Sequence, residues 1–104
     1  MAAPPLVSVI VPVYNGAAFL SEALASIHAQ AYPALETLVI DDGSTDDSAG
    51  IAMQTEGIRL LSQANQGPAA ARNLGLASAR GDLIAFLDAD DLWPAGKLAG
   101  QVAR

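Results

Sequence analysis

Asp88-Ala89-Asp90-Asp91 follows directly on the apolar run Leu83-Ile84-Ala85-Phe86-Leu87, so these carboxylates fall where a strand would empty into solvent. Carboxylate oxygens suit hard divalent cations, and such ions keep open positions that phosphate oxygens can fill. If the segment stays extended, residues i and i+2 point the same way, and Asp88 and Asp90 can face one ion. Arg72, one of only 5 basic residues, lies in an alanine-rich stretch. A guanidinium can clamp a phosphate or pair with the acidic cluster, and either offsets the negative charge gathered there. The plain alternatives are a solvated acidic loop for Asp88 to Asp91, with Asp91 a helix cap, and a solvated helix face for Arg72.

The elements that must position these groups follow from periodicity. Val7-Ser8-Val9-Ile10-Val11-Pro12-Val13 is apolar and β-branched at nearly every position, as in a parallel strand covered on both faces. Tyr14-Asn15-Gly16 is turn chemistry, and Phe19, Leu20, Ala23, Leu24 and Ile27 then recur at helical spacing until Tyr32-Pro33. The pattern repeats. Leu35 to Ile40 reads as a strand and Asp41-Asp42-Gly43 as a turn; Ser44 opens a helix with Asp47 three residues on, as in a capping box, and Gly57 closes it. Ile58 to Ser62 is a third strand, Gly67 to Ala79 a helix, Leu83 to Leu87 a fourth strand, and Pro94 starts a last helix.

Alternating strands and helices imply an α/β fold, a Rossmann-like three-layer α/β/α sandwich with a mainly parallel sheet and right-handed crossovers. Ligands gather outside the carboxyl ends of such strands. Pro12 to Asn15, Asp41-Asp42 and Asp88 to Asp91 should therefore share one rim. Taken alone, Pro12 to Asn15 reads as a strand-to-helix turn with a packed tyrosine, and Asp41 to Ser44 as a turn with an N-cap.

The chain of 104 residues is long enough for one small domain, 52% of it hydrophobic. A net charge of −6 opposes nucleic acid and anionic membrane surfaces, which demand a basic face. No apolar run approaches the ~20 residues of a membrane helix. With 0 cysteines, disulfides and thiolate chemistry are excluded, which fits a cytoplasmic location.

Four motifs together give the chain a resemblance to the N-terminal part of a family 2 glycosyltransferase of the GT-A type. They are Val9-Ile10-Val11-Pro12-Val13-Tyr14-Asn15, Val39-Ile40-Asp41-Asp42-Gly43-Ser44-Thr45-Asp46, Gly67-Pro68-Ala69-Ala70-Ala71-Arg72-Asn73 with Gly75, and Phe86-Leu87-Asp88-Ala89-Asp90-Asp91. The resemblance covers nearly the whole chain and implies a truncated GT-A fold whose four strands stand in the order 3-2-1-4. It implies that Pro12, Tyr14 and Asn15 line the nucleotide pocket with Tyr14 against the base, and that Asp42 contacts the base. It gives Arg72 a phosphate, Asp90 the Mg2+ or Mn2+ on the diphosphate, and Asp88 the ribose or the metal. Asn73 and Gly75 are packing and capping residues. Trp93 either flanks the sugar or anchors packing, and His28, on the polar side of the first helix, is given no chemistry.

The implied reaction is transfer from a nucleotide diphosphate sugar, UDP-sugar first, to an acceptor hydroxyl with inversion. No catalytic residue is assigned, because the family's base is expected beyond Arg104; residues 1–104 are expected to be a donor-binding half without its acceptor-binding half. A bare apolar edge at Leu83 to Leu87 implies a homo-oligomer. An oxidoreductase would need more glycines after the first strand than Gly16. A phosphatase or phospho-receiver would place its aspartate after a different strand. A non-catalytic binding or assembly module is the remaining alternative.

Overall fold

The computed structural model describes residues 4–98. In chain order it contains β1 (Val7–Val13), α1 (Ala17–His28), β2 (Leu35–Asp41), α2 (Ser48–Gln54), β3 (Ile58–Ser62), α3 (Pro68–Ser78) and β4 (Leu83–Phe86). The strands form one parallel sheet in the order β3-β2-β1-β4, as the resemblance implies.

β1 is nearly all β-branched because both of its faces are covered. Val7, Val9, Val11 and Val13 pack with Leu20, Ala23, Leu24 and Ile27 of α1 and with Ala52 of α2. Ile10, on the opposite face, packs with Leu38, Ile40 and Ala71 beneath α3. These two clusters are the core, and they make a three-layer sandwich of helices on either side of the sheet.

Gly75 lets α3 lie close on the sheet. A Cβ there would stand 2.5 Å from Ile10 Cγ2, well inside van der Waals contact. At the amino ends of the strands Glu36 ties β1, β3 and the turn before β4 together. It accepts from the Ser8 hydroxyl, from Arg59 at 2.7 Å and from the Arg80 N–H at 2.8 Å. Burial pushes its carboxyl up, but these hydrogen bonds and the guanidinium outweigh burial and hold it below the usual range.

Several boundaries differ from the sequence reading: β2 runs one residue further, to Asp41, β4 stops at Phe86, one residue short of Leu87, and α2 ends at Gln54, ahead of Gly57. The second helix starts at Ser48, not at Ser44, and Asp47 stands at its N-cap without a side-chain cap bond. Near the end of the described residues Pro94 precedes a turn, with the Lys97 N–H on its carbonyl at 3.3 Å, and helical geometry begins at Lys97 and Leu98. The rest of the expected last helix lies outside the described residues.

Gly75→Ala should destabilise the protein by about 1–3 kcal/mol through overpacking, measured by urea denaturation. Ile10→Ala should cost less in the Gly75→Ala background than in the wild type, since it removes the atoms that clash.

Candidate functional site

β1 runs past the end of its pairing with β4. The register stops at Ile10 opposite Phe86, and the Leu87 N–H still reaches the Ile10 carbonyl at 3.1 Å. Backbone groups alternate in direction along a parallel strand, so Pro12 turns its ring nitrogen towards this same side. A proline in a central strand is costly unless no neighbour needs its N–H. Here β4 has already ended, and the gap opens the rim.

The turn after β1 is held by the segment after β2. The Asn15 N–H donates to Ser44 Oγ at 2.9 Å, and Asn15 Oδ1 accepts the Thr45 N–H at 2.8 Å and the Asp46 N–H at 3.3 Å. The Gly16 N–H donates to Ser48 Oγ at 3.1 Å and the Ala17 N–H to Asp46 Oδ2 at 3.0 Å. Asp46 and Ser48 thus satisfy N–H groups at the start of α1 that its own N-cap, Gly16, cannot. Asn15 sits at φ 51°, a left-handed conformation that asparagine tolerates. Ser44 therefore serves the preceding turn instead of capping α2.

Asp42 gathers the loop between β3 and α3. It is buried, 3% exposed. Its Oδ1 accepts from Gln63 Nε2 and the Gln66 N–H, both at 2.8 Å, and its Oδ2 from the Gly67 N–H at 3.0 Å and Asn65 Nδ2 at 3.3 Å. Gly43, at φ 75°, makes the turn that brings this loop close: a Cβ there would lie 2.8 Å from the Asn65 nitrogen.

Asp88 to Asp91 is a turn, not an extended segment, closed by the Asp91 N–H on the Asp88 carbonyl at 2.9 Å. An aspartate at the first position favours such a turn. The carboxylates converge all the same. Asp88, Asp90 and Asp91 are exposed, and one oxygen of each lies within 4.8 Å of the others. Opposite ligands of an octahedral Mg2+ or Mn2+ stand about 4.2 Å apart, so a small closing movement of exposed side chains fits this donor set to such an ion. Asp91, expected to be a cap, joins the group, and no described helix begins beside it.

Arg72 projects from α3 to Asp88 at 3.4 Å, a half-exposed pair. Asp88 borders three clefts. One of about 190 Å³ is lined with Tyr14, Asp42, Pro68 and Ala71, and one of about 300 Å³ with Tyr14, Asn15, Phe19 and Asp90. Pro12 lines both. The third, about 350 Å³, lies among Arg72, Asp91, Leu92, Trp93 and Lys97. Trp93 is a packing anchor in the core, its backbone N–H donating to Ser26 Oγ at 3.1 Å and Lys97 Nζ lying 5.8 Å from its ring centre. His28 is exposed on the last turn of α1.

The residues Pro12, Tyr14, Asn15, Asp42, Arg72, Asp88 and Asp90 thus meet on one rim. Sequence reasoning missed Gln63, Asn65 and Gln66, which hold Asp42, and Asp46 and Ser48, which hold α1. The polar run Gln63-Ala64-Asn65-Gln66-Gly67 was the available signal, but nothing local names its acceptor.

A family model described as "Glycosyl transferase family 2" matches residues 8–104. The chain belongs to this family. It is 45% identical over 103 residues to an uncharacterized glycosyltransferase of Haemophilus influenzae, covering 94% of this chain and 41% of that protein. Among solved structures of glycosyltransferases with the GT-A fold, mannosyltransferase PcManGT from Pyrobaculum calidifontis, in complex with GDP-Man and Mn2+, superposes with a TM-score of 0.85 at 36% identity over 93% of this chain and 31% of that one. S. aureus TarS 1-349, in complex with UDP-GlcNAc, superposes at 0.83 with 31% identity over 94% and 30%. The chain spans less than half the length of these proteins.

The hydrogen bond from Gln63 and those from the N–H groups of Gln66 and Gly67 hold the Asp42 carboxyl below its usual range, against the opposing effect of burial. The Ser48 hydroxyl and the Ala17 N–H do the same for Asp46. Depressed carboxylates add stability above the unfolded pKa near 3.9 and lose it as pH falls through the folded values. Asp42→Asn should therefore lower the thermal midpoint at about pH 7, and the gap to wild type should narrow steadily below about pH 4. Melts followed by circular dichroism across that range check the sign; a gap that widens in acid contradicts it.

Proposed function

We propose that residues 1–104 are a single domain that binds the donor of a glycosyl transfer, a nucleotide diphosphate sugar, with a UDP-sugar the first choice. The observation that carries this is the meeting of an aromatic ring, a buried carboxylate, a guanidinium and an acidic cluster around Asp88, in a family whose structures include complexes with UDP-GlcNAc and with GDP-Man and Mn2+.

In this reading the base enters the cleft between Tyr14 and Pro68, and one of its ring N–H groups donates to Asp42. Both sites on Asp42 Oδ1 are filled, so the base takes the place of the long Asn65 bond on Oδ2. Pro12 and Asn15 wall the pocket, Asp88 meets the ribose, and Arg72 turns from Asp88 to the diphosphate. Asp90 and Asp88 would hold Mg2+ or Mn2+, with Asp91 beside them, and such an ion when bound neutralises charge on the departing diphosphate. The anomeric carbon forms its bond to the acceptor oxygen as its bond to the diphosphate oxygen breaks, with inversion. The leaving diphosphate keeps that electron pair, and the acceptor proton goes to a base that is not assigned among the described residues. Arg72 stabilises the same developing charge.

The absence of cysteine fits a cytoplasmic location. No helix among the described residues is long and apolar enough to cross a membrane. Self-association belongs to the same reading, because β4 closes the sheet with its outer edge unpaired among the described residues, and Leu83, Ile84 and Phe86 are exposed beside it.

Calorimetric titration of UDP is expected to show binding with Mn2+ present and its loss on adding EDTA. Asp90→Ala should abolish the metal dependence, and Arg72→Ala should weaken binding roughly tenfold or more. A folded chain that ignores UDP, GDP and their sugars with Mn2+ present sinks the proposal, whereas tighter GDP binding would move the base. Light scattering at micromolar concentration should give the mass of a dimer or larger, and Ile84→Lys should return it to a monomer.

A further inference from the structure

Tyr14 divides two of the clefts, with Asp42 and Pro68 on one side and Phe19 and Asp90 on the other. The residue is 54% exposed, so neighbouring atoms fix little of the ring's position. The direction in which the side chain leaves is set by the backbone on which it stands. That backbone is held at three successive residues by side chains from the segment after β2: Asn15 by Ser44, Gly16 by Ser48 and Ala17 by Asp46. Asn15 returns the grip through its own Oδ1, and its left-handed φ of 51° turns the chain immediately after the tyrosine.

We infer that Asp46 is a positioning residue for nucleotide binding: it touches no ligand in the reading above and acts, with Asn15 of the pocket wall, by fixing where Tyr14 stands between the two clefts. The inference rests on the proposed donor site. Asp46 is the keystone because one carboxylate reaches both ways, to the Ala17 N–H through Oδ2 and to Ser48 through Oδ1. Ser48 in turn holds Gly16. Loss of the Asp46 carboxylate therefore frees two consecutive residues next to Asn15, while Asp42, Arg72 and the acidic turn keep their own partners. A ring that samples both clefts stacks on a base for only part of the time, and the measured affinity falls by that fraction.

A double-mutant cycle separates this from a general loss of structure. UDP affinity in the presence of Mn2+ is measured by calorimetry for wild type, Tyr14→Ala, Asp46→Ala and the double variant, with a thermal melt of each. Asp46→Ala should weaken UDP roughly three- to tenfold when Tyr14 is present and have no further effect when Tyr14 is alanine. Asp46→Asn, which keeps an oxygen acceptor, should recover part of the loss. Should Asp46→Ala fail to fold, Ser44→Ala replaces it in the cycle, since Ser44 Oγ accepts the Asn15 N–H beside Tyr14 and borders neither cleft. Equal UDP affinity in wild type and the folded Asp46 variant, or losses that simply add to that of Tyr14→Ala, overturns the inference while leaving the donor site standing. A folded wild-type chain that binds no nucleotide overturns the donor reading and this inference with it.

Discussion

The rim depends on one short segment, residues 41–48, in which β2 ends and α2 begins. A parallel sheet delivers its strands to one edge but does not by itself connect the loops that follow them. Here the connection is made sideways by side-chain oxygens. Asp42 reaches forward to the loop before α3, while Ser44, Asp46 and Ser48 reach back to the turn before α1. Each bond is of ordinary strength, and their arrangement matters more than their sum: a loop held at several successive N–H groups has few conformations left.

Pro12 fits the place where two strands part. It has no N–H to offer towards β4, so none is left unpaired where the ladder between β1 and β4 ends and the acidic turn begins. The exposure of Leu83 and Ile84 has a separate origin: both pair with β1, but β4 is an edge strand with no neighbour on its outer side among the described residues.

How much of this was legible depended on distance along the chain. β1 and β3 could be bounded to the residue, because runs such as Val7 to Val13 signal a covered strand through their own composition. The site residues were named through motifs and do share the rim. The start of α2 was misplaced because a capping box reads only the next three residues, whereas the Ser44 hydroxyl takes the Asn15 N–H from the other side of α1. The acidic turn was read as extended because alternation takes no account of an aspartate's preference for turns. Asp42 was seen as an acceptor for a ligand, but its donors lie beyond β3, out of reach of any local pattern.

The capping of α1 and the loop before α3 has a consequence for how any anion is held. Folds that bind dinucleotides commonly leave the N–H groups at a helix start bare and let phosphate sit on them. In this protein the N–H groups of Gly16 and Ala17 ahead of α1, and of Gln66 and Gly67 ahead of α3, already point at oxygens of the protein itself. On the proposed donor reading, positive charge for a diphosphate would come from a side chain and from ions that exchange with the surroundings. Retention of such a ligand would then be a property of the solution as much as of the fold, rising and falling with the free divalent cation concentration and weakening with ionic strength.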